Sequence, residues 1–524
     1  RHGGHGAGQG PGHPGAQQGA GHEDDRRGAQ ARPAAAHRRD LRQCDPRAGA
    51  AHGGGGGAAG RPGGDGGGAY RGGGAVIDRA RLAGAYAEEQ RRFEATHPAS
   101  RALSARARGS LLEGVPMHWM VKWAGGFPLF VREGAGAHFT DVDGHRYLDL
   151  CLGDTGAMTG HAPAAVVEAV ERQAARGFTF MLPSEDHVWV AEELGRRFGL
   201  RYWQFAMTAT DANRFAIRLA RLLTGRPKIL VHNWCYHGTV DETFATLQDG
   251  VVRARPGNLG PAVDPALTTR VVEFNDIPAL ERELAHGDVA CVLAEPAMTN
   301  IGIIHPDPGY HDALRALTRK HGALLIIDET HTICAGPGGY TRAHGLTPDL
   351  LTIGKPVGGG VPCAVYGFSE EVGARLAGRI ALADSDTGGI GGTLAGNALA
   401  LAAMRATLGH VLTEAAYART IPLAERFQAG VEEVIAAHRL PWIVKRLGCR
   451  AEYWFRPSAP RNGAEAAAAV DLELDRYMHL FALNRGILLT PFHNMALIAP
   501  ATTAADIDRH TDVFRESVAS LLAS

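Results

Sequence analysis

From Val76 onward the chain alternates short apolar runs with stretches of helical period, whereas the first 75 residues carry neither pattern. Residues 78–96 repeat apolar positions at helical spacing and predict a helix. Past Leu129, Phe130 and Val131, then His138, Phe139, Asp141, Asp143-Gly144, Tyr147 and Leu148, predict two short strands around a Gly/Asp turn. Between His161 and Ala406, four apolar runs (228–231, 290–294, 324–328 and 350–353) alternate with amphipathic helices. Strands apolar on both faces and separated by helices predict a mostly parallel sheet covered on either side, an α/β fold. Residues 407–524 predict a helix, strands at 451–455 and 486–489, and a final helix after Asp506, together a smaller α/β domain. The expected organisation is thus 1–75 as a separate segment, 76–160 completing the small domain, 161–406 as the large domain and 407–524 as the C-terminal small domain.

Residues 1–75 hold 25 of the 69 glycines, and Leu41 is their only residue among Val, Ile, Leu, Met, Phe and Trp. Such a segment cannot bury enough apolar area to offset the entropy of ordering, so it is expected to be disordered. It reads either as an Arg/His-rich arm for a partner, or as a linker or sequence upstream of the true start, and no activity is assigned to it.

At 524 residues the chain exceeds one compact core. Lys plus Arg (54) balances Asp plus Glu (55), which removes the electrostatic argument for nucleic-acid or polybasic membrane binding and leaves a small molecule as the expected partner. The seven cysteines include no CxxC pair, no HExxH is present, and His187, His237 and His331 read as polar or supporting residues, so neither a disulfide framework nor a metal is expected. No run approaches the roughly 18 apolar residues of a membrane span, and no apolar signal core opens the chain. A reduced, cytoplasmic protein is the expectation.

In open α/β sheets ligands lie beyond the carboxyl ends of the strands, and two such ends are chemically rich. One carries Asp328-Glu329; the other, 27 residues on from Asp328, carries Lys355 in Gly354-Lys355-Pro356, followed by Gly358-Gly359-Gly360. A lysine amine can form a Schiff base with a pyridine aldehyde while a buried carboxylate keeps the ring nitrogen protonated. An ion pair beside a glycine turn would use the same two residues. Thr208-Ala209-Thr210 opens a helical stretch whose N-terminal N–H groups could hold a phosphate, or whose threonine could simply cap the helix. Tyr236 could stack on a planar ring or pack in the core. No GxGxxG opens a βαβ unit, so a nicotinamide site is not expected.

Taken in order, these residues resemble the class III aminotransferases, pyridoxal-phosphate enzymes of fold type I, and within them the glutamate-1-semialdehyde aminomutase branch. The resemblance rests on Asp141-Val-Asp-Gly144 with Tyr147, Gly160-His161, residues 208–213, Tyr236-His237-Gly238, Asn275-Asp276, Glu295-Pro296, Asp328-Glu329, Gly354-Lys355, Gly358–Gly360 and residues 392–397. It implies pyridoxal 5′-phosphate as cofactor, Lys355 as its covalent attachment and proton-shuttling base, and Asp328 on the ring nitrogen. It further implies Ala209 and Thr210 at the phosphate, Tyr236 stacked on the ring and Asn300 near the 3′-oxygen. Thr393 is implied to reach the phosphate of a neighbouring subunit, hence a homodimer with shared active sites.

The chain also departs from that pattern. Thr208-Ala209-Thr210-Asp211-Ala212 replaces the usual Ser-Gly-Thr-Glu-Ala, and Thr330-His331-Thr332 follows Asp328-Glu329 where the aminomutase carries Val-Met-Thr. The place of the aminomutase's carboxylate-binding arginine falls on Met120, with Trp119 and Trp123 as aromatic walls, so a bulkier or more apolar substrate is expected. Trp123, His331 and Arg450 become candidate substrate residues, with Arg456 a second replacement arginine. Three readings follow: a transaminase moving an amino group between a donor and a carbonyl acceptor, an intramolecular amino shift behind a closing loop at 248–265, and a non-catalytic cofactor-binding protein.

Overall fold

The computed structural model describes residues 77–522, apart from 378 and 380–387. The expectation of disorder for 1–75 therefore lies outside the described residues. The predicted first helix is α1 (Arg79–Thr96), begun by Asp78, whose carboxylate accepts from the N–H groups of Ala80 and Arg81. Pro98 starts α2 (Pro98–Ala107), its missing N–H costing nothing at a helix start.

Three strands, not two, follow: β1 (Val131–Ala135), β2 (His138–Asp141) and β3 (Arg146–Asp149), an antiparallel meander. β1 escaped prediction because its outward face is exposed and its sequence, Val-Arg-Glu-Gly-Ala, has no apolar alternation. Two helices, α3 (Ala164–Ala174) and α4 (Glu185–Phe198), then lead into the large sheet.

That sheet has seven strands: β4 (Tyr202–Ala206), β5 (Lys228–His232), β8 (Thr269–Val272), β9 (Val289–Ala294), β10 (Leu324–Asp328), β11 (Leu350–Ile353) and β12 (Ala364–Phe368). Between β5 and β8 lies a hairpin, β6 (Ala245–Gln248) with β7 (Val251–Ala254). The large sheet's spatial order is β4-β12-β11-β10-β9-β5-β8, with β12 antiparallel to both its neighbours and every other pairing parallel. Its central strands are apolar on both faces because both are covered: Ile229, Val231 and Ile326 pack with Phe215, Ala216 and Leu219 of α5 (Ala209–Thr224). Leu230, Val292, Leu325 and Ile327 pack with Leu314 and Leu317 of the helix Tyr310–His321 on the other side. Each such side chain fully removed from water stabilises the fold by about 1.5–3 kcal/mol before entropy is counted.

The C-terminal residues form a three-stranded antiparallel sheet of β13 (Ile443–Leu447), β14 (Arg450–Trp454) and a short strand at Met495–Leu497. Ile487–Leu488 leaves this group to pair in parallel with β3, so the N-terminal meander is completed from the far end of the chain. The predicted closing stretch 248–265 is not a free loop throughout, since β7 within it is paired to β6 in register from Ala245↔Ala254 to Gln248↔Val251.

Candidate active site

Register places the two strand-end groups side by side. Asp328 ends β10 opposite Thr352 of β11, and Lys355 follows three residues later, with Gly354 between. Gly354 is required there, because a Cβ would lie 2.8 Å from the Ala209 Cβ at the start of α5. At Gly238 (φ +75°) a Cβ would collide with the Thr210 hydroxyl, so the chain after β5 presses against the same helix start. Thr208 caps that helix by accepting from the Asp211 N–H, and Thr210 accepts from the Thr239 N–H at 2.9 Å. Strand ends and helix start together enclose a cavity of about 490 Å³, lined among others by Trp119, Thr210, Tyr236, Asp328, His331 and Lys355.

Asp328 is 4% exposed yet fully hydrogen-bonded: Oδ2 accepts from Asn213 Nδ2 and His237 Nδ1, each at 2.9 Å, and Oδ1 from the Thr330 N–H at 3.0 Å. Burial favours the neutral acid, but the His237 hydrogen bond and charge, with the hydrogen bonds of Thr330 and Asn213, outweigh it and pull the carboxyl down to about 2. Burial pushes His237 the other way, but Cys235 and the Asp328 carboxylate raise it well above its ordinary value, so carboxylate and imidazolium form a buried pair. Thr352 fixes Asn213 in turn, donating to its Oδ1 at 2.7 Å. Asp328 is thereby an ionised acceptor held at the cavity wall.

Lys355 Nζ lies 2.9 Å from Asp154 Oδ2 and 2.7 Å from His331 Nε2. Sequence reasoning passed over Asp154, although Leu152, Gly153, Asp154 and Thr155 all have positive φ (45°, 57°, 49° and 82°), a strained run that delivers Asp154 to Lys355 and Thr155 to His331. The only signal in the sequence was a single Gly153 after the apolar strand end, too little to predict four such residues. Asp154 is driven far below the carboxylate range: burial opposes this, but Lys355, His331 and Arg450 overcome it. Burial holds Tyr236 as a neutral phenol, raised to about 12.

Of the remaining candidate residues one lines the cavity and the others do not. Trp119, on the short turn His118–Val121, lines the cavity 5.5 Å ring to ring from Tyr236, whereas Trp123 is half-buried and outside the lining. Asn300 turns its amide to the Trp234 carbonyl at 3.0 Å and is not in the lining. Thr393 is exposed, away from this chain's own cavity. Arg450 is wholly enclosed behind His331, and Arg456 turns to the Glu465 carbonyl and the Ser458 hydroxyl.

A lysine and an ionised carboxylate facing one cavity, beside a helix start that offers N–H donors and a threonine hydroxyl, suit a phosphorylated pyridine aldehyde in each of its three parts. The comparisons with known proteins agree with that chemistry. The aminotransferase class-III family matches residues 120–518. The glutamate-1-semialdehyde 2,1-aminomutase of Neisseria gonorrhoeae is 34% identical over 408 residues, 76% of this chain and 93% of that protein. Among solved structures, a glutamate-1-semialdehyde aminomutase from Pseudomonas aeruginosa PAO1 superposes with a TM-score of 0.83 at 51% identity, covering 85% of this chain and 100% of that one. An omega-transaminase from Sphaerobacter thermophilus follows at a TM-score of 0.72 and 29% identity, covering 81% and 98%. The chain belongs to the class III aminotransferases, enzymes whose cofactor is pyridoxal phosphate.

Proposed function

We propose that this enzyme transfers an amino group between an amino donor and a carbonyl acceptor, with Lys355 as the cofactor-bearing lysine. The observation that carries this reading is the ionised Asp328 beside Lys355 at one cavity wall. When bound, pyridoxal phosphate supplies an aldehyde for the amine and a ring that draws electrons from the carbon losing its proton. Asp328, kept anionic by His237 and Asn213, would hold the proton on the ring nitrogen. With the cofactor bound, Lys355 Nζ would take and return the substrate proton, within reach of His331 and Asp154. Ala209 and Thr210 would hold the phosphate at the start of α5, and Tyr236 with Trp119 would form apolar walls that exclude water. His331, lining the cavity, shapes the substrate side.

The departure at Met120, which is 39% exposed where the aminomutase resemblance puts an arginine, favours a substrate bulkier or more apolar than glutamate-1-semialdehyde. The names of the Neisseria and Pseudomonas relatives favour the second reading, an intramolecular shift on glutamate-1-semialdehyde. A homodimer with Thr393 serving the partner's phosphate belongs to this proposal. It is supported by exposed Phe178, Phe180, Met181 and Leu182 (51–77% exposed), a patch tied to the Thr393 segment by the Ala398 N–H to Phe178 carbonyl bond and by His187 to the Gly396 carbonyl. A cytoplasmic setting fits the six buried free cysteines among the described residues, and no helix there is long and apolar enough to cross a membrane.

The test is single-turnover mixing of the purified enzyme with one amine at a time and no acceptor. Bleaching of the visible cofactor band with release of a carbonyl product is expected. No response to any amine, together with conversion of glutamate-1-semialdehyde, would replace the first reading with the second.

A further inference from the structure

Among the described residues one group of histidine and acidic side chains brings its donor atoms together outside the cavity lining. His97, between α1 and α2, Asp141, at the end of β2, and His145, just before β3, each place one such atom within 4.8 Å of the others. His97 and Asp141 are 3% and 0% exposed, so this is not a solvated patch of surface charge.

The group is short of protons. His97 Nδ1 lies 2.8 Å from the Phe93 carbonyl, which can only accept, so Nδ1 carries a proton. Burial above all holds His97 toward its neutral form, which leaves Nε2 with a lone pair. That nitrogen is 3.6 Å from Asp141 Oδ2, and the Tyr147 hydroxyl touches both, at 2.7 Å from the nitrogen and 2.9 Å from the oxygen. Tyr147 has one proton for these two contacts. His145 Nδ1, 3.2 Å from the same Oδ2, can present a further lone pair. A cation among these atoms satisfies them all: the two imidazole nitrogens and Oδ2 face it, Tyr147 gives its proton to the carboxylate, and Oδ1 keeps the His145 backbone N–H at 2.8 Å.

Dimensions and chemistry select the ion. Ligands about 2.0–2.1 Å from a tetrahedral zinc lie roughly 3.3–3.4 Å apart, a value that falls between the 3.2 and 3.6 Å separating Asp141 from the two imidazoles. Two imidazoles with one carboxylate suit zinc better than calcium or magnesium, which take oxygen ligands. His97 also has the outer support that zinc ligands carry, since its Nδ1–H on the Phe93 carbonyl fixes the ring with Nε2 toward Asp141. The His145 side chain, 42% exposed, leaves one side open for the ion to enter and for water as a fourth ligand.

We propose that His97, Asp141 and His145 form a structural zinc site that clamps the junction of α1 and α2 to the turn between β2 and β3. The site is independent of the reaction proposed above. The test uses the full-length holoenzyme, treated with chelator, reloaded with zinc sulfate and desalted; it reads zinc per chain by elemental analysis and the melting temperature with zinc or with EDTA. The wild-type protein should retain about one zinc per chain more than Asp141→Asn or His145→Gln. Its melting temperature should rise with zinc and fall with EDTA, while neither variant should respond. Loss of one ligand should weaken binding on the order of 100-fold or more. If Asp141→Asn does not fold, His145→Gln, changed at a partly exposed position, carries the test. His286→Gln, at an exposed histidine outside the group, should keep both the zinc and the response.

Equal zinc retention in the wild-type and His145→Gln proteins would overturn the proposal. So would a wild-type melting temperature indifferent to zinc and EDTA, which would leave a second proton on His97 as its link to Asp141. An equal loss of zinc in His286→Gln would overturn it as well, by making the bound metal a property of surface histidines.

Discussion

Two buried carboxylates in this enzyme look alike by exposure and differ in what surrounds them. Asp141, at the end of β2, is 0% exposed and accepts from the His145 N–H, His145 Nδ1 and the Tyr147 hydroxyl. Tyr147 in turn lies 2.7 Å from His97 Nε2, and His97 Nδ1 lies 2.8 Å from the Phe93 carbonyl, so the network closes on α1 and the meander. Asp328 is as buried and as well bonded, but it also lines the 490 Å³ cavity, with Lys355 on the same wall. Burial and a histidine partner therefore do not distinguish a working carboxylate from a structural one. What distinguishes Asp328 is an ionised group held at a cavity wall by partners that lie behind it.

The sharpest way to break the comparison is to remove the group that Asp328 serves. Lys355→Ala should fold, with a lowered melting temperature because the buried Asp154 carboxylate loses its ammonium partner. It should bind cofactor only non-covalently and lose about 10³-fold or more in turnover. Mass spectrometry after borohydride reduction checks the first, and steady-state rates check the second. Asp328→Asn should be next in size. The amide keeps the shape but cannot hold a proton on the ring nitrogen, so cofactor should remain bound while the proton-abstraction step slows on the order of 10²-fold. Near-normal single-turnover rates in this variant would reduce Asp328 to the status of Asp141.

Much of this site was legible in the sequence, because its principal groups follow strand ends that the apolar runs made visible. The runs ending at Asp328 and Ile353 are β10 and β11, and their register brings Lys355 to Asp328. Tyr236 was legible for the same reason, lying just after β5, and Thr210 because it opens the amphipathic helix α5. β4, β8 and β12 were missed: Tyr202–Ala206 alternates exposed and buried positions over only five residues, Thr269–Val272 has only four, and Ala364–Phe368 is interrupted by Gly367 beneath the Trp203 ring. Asp154 was illegible because backbone strain, with four successive positive φ values, is what carries it to Lys355, and no local pattern encodes that. His237 read as a supporting residue, and its pairing with Asp328 across 91 positions could only be seen once β5 and β10 were in one sheet.

His237→Gln sharpens the comparison by weakening the hold on Asp328 while leaving its place in the cavity. Glutamine can still donate one hydrogen bond but carries no charge, so the variant should lose about 1.5–3 kcal/mol of stability and roughly tenfold in rate. Its pH dependence is specific. Asp328 is depressed from 3.8 to about 2, so its contribution is complete above 3.8 and is lost as pH falls toward 2. His237 is raised above 6.5, so its contribution is complete below 6.5 and is lost only as pH climbs through the raised value. The stability difference between the wild-type enzyme and His237→Gln should therefore be greatest between those two ordinary values, as thermal melts across pH would record. A difference independent of pH would mean that packing, not the ion pair, is what His237 supplies.

The smallest effect on catalysis should come from the carboxylate that does not line the 490 Å³ cavity. Tyr147→Phe removes the hydroxyl between Asp141 and His97, leaving two buried polar groups 3.6 Å apart without the donor that joined them. Unsatisfied groups of this kind cost about 1–3 kcal/mol, so the melting temperature should fall. Cofactor attachment and the single-turnover rate should stay at wild-type values, because the loss is confined to the junction of α1 with β2 and β3. Measuring both on one preparation separates the two kinds of buried carboxylate directly: stability without catalysis at Asp141, and catalysis with stability at Asp328. A loss of cofactor attachment in Tyr147→Phe matching the stability loss would show that the meander, which Ile487–Leu488 joins from the far end of the chain, transmits its order to the cavity.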